Sequence, residues 1–141
     1  MNQNLIILPV FAQVLLTIVV LVVMGTRRRT ALVSKTTRLK DIALGQDAWP
    51  EDAMKASNNF KNQFEIPVLF FAACAFALIT KSVDYWLLGW AIVFVVSRVV
   101  HAAIHLGANP VMPRAYIYFS GVIAVVVMWI TIFVRAVLPV L

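Results

Sequence analysis

Four stretches of this chain, 5–25, 64–80, 86–106 and 115–137, are apolar almost throughout and together fill more than half of its 141 residues. An α-helix needs about 20 such residues to cross the roughly 30 Å of hydrocarbon in a bilayer. Backbone polar groups in that medium must pair within the segment, so each stretch is expected to be a helix. The predicted fold class is all-α: a polytopic membrane protein, a bundle of four transmembrane helices. Composition supports this, with 62% hydrophobic against 13% charged residues and a mean hydropathy of +0.92. Soluble domains sit near about 45–50% apolar and about 25% charged. A soluble globular domain and a disordered tail are both excluded. The length gives a single domain, 1–141, with helices at about 5–25, 50–80, 85–106 and 114–138 and a hydrophilic loop at about 26–49. Any chemistry must take place inside the bundle or at its edge.

The net charge is +6 and the pI is 10.0. Of the twelve basic residues, Arg27, Arg28, Arg29, Lys35, Arg38, Lys40 and Lys55 lie between positions 27 and 55. They show no aromatic-basic interleaving of the RNA-binding kind, so no nucleic acid partner is expected. Their clustering is an orientation signal. The first four residues are uncharged, and the connection between the second and third spans has only Lys81 and Asp84. Positive-inside bias then places the basic loop and the turn at 107–114 in the cytoplasm and both termini outside, in a multi-pass membrane protein. The first span is too long for a signal-peptide core, and its charges follow rather than precede it. The single cysteine, Cys74, lies in an apolar run and is read as a small buried hydrophobe.

Polar residues within the spans fall on stripes. Asn58, Asn62 and Glu65 are spaced i, i+4, i+7; Arg98, His101 and His105 are spaced i, i+3, i+7; Arg114 and Tyr118 are spaced i, i+4. A charge at mid-bilayer costs about 2.5–3.5 kcal/mol on insertion scales, so such residues face a bundle interior or a wet cavity. Glu65 lies about 22 Å from Thr80 along its helix, and Arg98 about 18 Å from Trp86 along the next. These depths agree within one turn, so the two can meet, directly or through a ligand. Trp49-Pro50-Glu51-Asp52 reads as a helix start. From Pro50 to Thr80 the pattern predicts one helix of about 46 Å, kinked by Pro67, which lacks an N–H. Two readings stay open: a ligand site, or a structural ion pair with Asn58 and Asn62 as interhelical contacts. His101, His105 and Glu65 could together hold a metal, but there is no His-Glu-x-x-His pattern and Arg98 would repel a cation; none is expected.

Asn62-Gln63-Phe64-Glu65-Ile66-Pro67 resembles the second-helix signature of the MAPEG superfamily, membrane-associated proteins in eicosanoid and glutathione metabolism. Arg98, His101, His105, Leu106 and Gly107, followed by Pro113, Arg114 and Tyr118, resemble helices 3 and 4 of the microsomal prostaglandin E synthases, in a bacterial-type member. The resemblance implies a homotrimer in the cell inner membrane, with glutathione as co-substrate bound between subunits near the cytoplasmic face. It implies that Asn58, Lys61, Asn62, Glu65, Arg98, His101 and His105 bind the tripeptide, and that Arg114 and Tyr118 lie at the thiol. Arg114 would lower the thiol pKa, giving a transferase or peroxidase for lipophilic electrophiles that arrive from membrane lipid. There are departures: Ala115 stands where the prostaglandin enzymes have a serine, His105 where they have a tyrosine, Asn58 and Lys61 where they have arginines. A non-catalytic membrane protein with purely structural polar stripes is the alternative. A small transporter is disfavoured by the lack of an internal repeat.

Overall fold

The computed structural model describes residues 2–43, 45, 48–136 and 138. It is all-helical, with no strand among the described residues. A short 3₁₀ turn, Gln3–Ile6, leads into α1 (Ile7–Val33); after the loop come α2 (Glu51–Asn62), α3 (Ile66–Ile79), α4 (Tyr85–Leu106) and α5 (Val111–Ala136). Four helical segments are long and apolar enough to cross a membrane: Gln3–Val33, Glu51–Ile79, Tyr85–Leu106 and Val111–Ala136.

Large apolar side chains remain exposed along every span, among them Phe11, Val68, Ile92 and Ile130. In water such a surface would aggregate; against lipid tails it is the matching solvent face. Inside, α3, α4 and α5 close on small residues, Ala73, Ala77, Ala91 and Ala124, which let backbones approach, with Phe70 stacked on Phe94 at 4.4 Å between centroids. Cys74 is buried in this core.

Helix bounds differ from the hydropathy pattern at three places. The first helix runs on to Val33 rather than stopping near 25, because its polar end has partners of its own. Arg27 donates to the carbonyls of Asp52 and Leu106, each at 3.0 Å, and Arg28 donates to Ser57 Oγ at 2.9 Å while lying over the Trp49 ring. The Leu106 contact also places a cation on the C-terminal carbonyls of α4, where the helix dipole favours it. The last helix begins at Val111 rather than 114, with Pro113 in its first turn, where a missing N–H leaves no bond unmade.

The third difference shapes the site. The second span is not one kinked helix but two. The chain tightens at the end of α2, with the N–H groups of Gln63 and Phe64 donating to the carbonyls of Phe60 and Lys61 at 3.0 and 2.9 Å. Glu65 then leaves helical geometry at φ −95°, ψ −102°, and Pro67 sits in the first turn of α3. Proline is at ease at a helix start and not in a helix interior, so a break is the cheaper solution.

On the opposite side of the bundle, Asp84 caps α4 by accepting from the Leu87 N–H at 2.9 Å and pairs with Arg135 at 2.7 Å. The hydrogen bond from Arg135 holds the Asp84 carboxyl below its ordinary range. A carboxylate with a lowered folded pKa stabilises above its unfolded value, near about 3.9, and loses that contribution as pH falls through the folded one. Asp84→Asn keeps the cap and removes the charge. It should lower stability in detergent by less than about 1 kcal/mol at pH 7, since the pair is partly exposed, and by progressively less as the pH falls through the lowered folded pKa.

Candidate functional site

The polar stripes converge. Asn58 and Asn62 from α2, Glu65 from the break, His101 and His105 from α4, and Arg114 and Tyr118 from α5 line one cavity of about 400 Å³. Val111, Ala115 and Phe119 form its apolar wall. The volume lies in the usual range for small-molecule sites, about 300–1,000 Å³.

Several of these groups are held by neighbours. In the amide orientation that satisfies both groups, Asn62 Nδ2 donates to the two carboxylate oxygens of Glu65 at 3.2 and 3.3 Å. Glu65 is exposed and has no cation within ion-pair distance among the described residues. A carboxylate at this depth of a span is expensive unless something polar faces it. His101 Nδ1 donates to the Arg114 carbonyl at 3.3 Å, which ties α4 to the first turn of α5 and leaves Nε2 buried without a partner. His105 packs edge-on against His101, and Tyr118 lies beside it with ring centroids 5.7 Å apart. Arg114 donates to the side-chain oxygen of Asn109, a residue in left-handed backbone at φ 57° in the α4–α5 turn, a conformation asparagine tolerates. That partner is neutral, and among the described residues no carboxylate lies within ion-pair distance of Arg114, so its charge is positioned without being cancelled there.

Two of the predicted residues lie outside the lining. Lys61 is exposed and is not among the lining residues. On an unbroken helix it would stand one turn before Glu65; the break at 63–65 separates them. Arg98 is buried behind the cavity and does not pair directly with Glu65. It donates to the Asn62 carbonyl at 3.1 Å and lies 5.7 Å from the Tyr118 ring centroid. Its local role is a helix C-cap: the break leaves α2's last carbonyls open, and a buried guanidinium meets one of them. Matching depth along two helices places residues at one level, but the level does not tell backbone partners from side-chain ones.

A second set of polar groups was not signalled by the stripes. Gln13 of α1 donates to Gln63 Oε1 at 2.9 Å, Gln63 donates to Asn59 Oδ1 at 3.1 Å, and Asn59 donates to the Ala102 carbonyl at 3.2 Å. The i, i+4 spacing of Asn59 and Gln63 was a usable signal, but Gln13 reads as a lone polar interruption in an apolar run.

The sequence model of the MAPEG family matches residues 6–134, nearly the whole chain. No curated protein and no solved structure matches it.

Proposed function

The chain belongs to the MAPEG family of membrane proteins, and we propose that it binds glutathione in the cavity between α2, α4 and α5 and presents the bound thiol, as thiolate, to lipophilic electrophiles. The observation that carries this reading is the convergence of a carboxylate, asparagine amides, two imidazoles and an uncancelled arginine on one cavity with an apolar wall. A zwitterionic peptide needs both signs of charge and amide donors at fixed positions; an apolar electrophile needs the wall.

In this reading Glu65 takes the ligand's ammonium group, Asn58 and Asn62 its amides, and Arg114 lies at the sulfur, with Tyr118 beside it. Arg98 acts from behind by holding the Asn62 carbonyl and hence the shape of the break. A fixed cation beside a thiol favours the thiolate, the nucleophilic form. Ala115 has no hydroxyl to add to this, so Arg114 carries the activation. The reaction is conjugation, in which the thiolate sulfur bonds the electrophilic carbon and the leaving group departs, or reduction of a lipophilic peroxide to its alcohol and water, with two glutathiones oxidised to the disulfide. The family resemblance further supports a homotrimer, and the basic residues from Arg27 to Lys40 support a cytoplasmic position for this end of the bundle in the inner membrane.

Ultraviolet absorbance of glutathione titrated into the protein at pH 7 tests the proposal. Thiolate absorbance should rise with bound ligand and saturate with it. Binding without thiolate would favour a non-catalytic membrane protein instead.

A further inference from the structure

The last turn of α2 carries two polar stripes. Asn58 and Asn62 face the cavity; Asn59 and Gln63 face the bundle interior, where both are almost fully buried, at 0% and 1% exposure. The inner stripe belongs to a chain of amides that crosses the bundle in one direction, from Gln13 on α1 through Gln63 and Asn59 to the Ala102 carbonyl on α4. Gln13 is itself fully buried, and Gln63 also reaches the Asn59 carbonyl at 3.3 Å. None of these three side chains lines the cavity.

Between helices in lipid, apolar packing gives little rotational preference, because lipid tails are as apolar as leucine. A buried amide is different, since a partner lost by rotation is not replaced by water. Rotation of α2 by one residue, about 100°, would break the chain and carry Asn62 off the cavity. The segment that needs this fixing is the one that is otherwise loosest: α2 ends at Asn62, and Pro67 prevents a continuous helix from setting the direction of Glu65.

The geometry points to Gln13, Asn59 and Gln63 as positioning residues that set the rotation of the α2 end and so aim Asn62 and Glu65 at the ligand. This rests on the glutathione reading above. The chain reaches the cavity chiefly from the α2 side: the Arg114 side chain, on α5, donates to Asn109, and no side-chain hydrogen bond joins it to the amide chain among the described residues.

Gln63→Met removes the central amide at nearly constant length, and the Gln13→Met/Gln63→Met double variant removes both partners of the first bond, so that no new orphan is left on α1. Each protein, in detergent, is titrated with glutathione, and the pKa of the bound thiol is read from its ultraviolet absorbance. The dissociation constant should rise about tenfold in both variants, the scale of one misaimed charged contact. The thiol pKa should stay at the wild-type value, which general loosening of the cavity would not leave untouched. Gln63→Asn, which keeps the amide, should recover part of the affinity. An unchanged dissociation constant in folded variants overturns the positioning role alone. If neither variant folds, the amides hold the bundle rather than aim the site, and the role is likewise overturned. Failure of the wild-type protein to bind glutathione overturns the functional reading itself.

Discussion

Arg114→Ala is expected to reverse sign with pH: slower turnover than wild type in acid, faster in alkali. A glutathione thiol beside a fixed cation with a pKa lowered by about 2 units, from about 8.5, is roughly three-quarters thiolate at pH 7, against about 3% without the cation. The more basic thiolate is the better nucleophile, by roughly eightfold over that interval at a Brønsted coefficient of about 0.4–0.5. With chemistry limiting, the variant should be about tenfold slower at pH 6, where thiolate supply decides. Above about pH 9 both forms are ionised and it should be faster by about that eightfold factor. Affinity for glutathione should change little at pH 6, where most of the ligand is protonated free or bound and Asn62 and Glu65 hold its other parts; in alkali it should fall with the lost thiolate contact, so rates are compared at saturating glutathione. A generic aromatic electrophile, followed from pH 6 to 9.5, reads this directly. Curves that run parallel, with no crossing, would remove Arg114 from the sulfur.

Gly121→Leu should unfold the α4–α5 pair in mild detergent or leave it grossly destabilised, by at least the 1–3 kcal/mol typical of overpacking. Gly121 is buried on α5, and a Cβ there would stand 2.6 Å from Ser97 Oγ, with Phe94 and Arg98 side-chain atoms at 3.7 and 3.8 Å. Ser97 has little room to yield, since its hydroxyl donates to the Phe94 carbonyl at 2.6 Å. The same contact brings His101 and His105 on α4 to Arg114 and Tyr118 on α5, so loss of packing there takes the cavity with it. The smaller Gly121→Ala change separates the steric cause from a general intolerance. Ser97→Ala removes the obstructing oxygen, so the double variant should be more stable than Gly121→Ala alone. Thermal unfolding of the four proteins gives the coupling; additive effects would mean that the close approach is not the reason for glycine.

How far the site could be read from sequence depended on the kind of signal. Runs of apolar residues revealed the four spans because the bilayer imposes one length and one medium on each. Helical spacing brought Asn58, Asn62, His101, His105, Arg114 and Tyr118 to one cavity, since faces survive when helices stay regular. It misjudged the part where the helix is not regular. Pro67 announced a disturbance, but whether it bends or breaks the helix depends on partners for the freed carbonyls. One of those partners is Arg98, thirty-six positions away in the chain. Depth sets Arg98 level with Glu65, but its direct bond is to the Asn62 backbone. The run of α1 past Gly25 escaped for a related reason: hydropathy marks the hydrocarbon, not the helix, and Arg27 and Arg28 are held by tertiary contacts. Gln13 was visible as a residue but not as a partner, because only the packing of α1 on α2 brings it to Gln63.

Whether the cavity is a glutathione site is decided by thermal unfolding of the purified protein in detergent, with and without glutathione. A ligand that binds only the folded form at 100 times its dissociation constant stabilises by about 2.7 kcal/mol, a shift of several degrees in a domain of this size. The wild-type protein should show that shift, and Glu65→Gln should lose most of it while unfolding at the wild-type temperature in the absence of ligand. The same unfolding temperature with and without saturating glutathione, in a wild-type protein that is folded, would mean that the cavity is not a glutathione site.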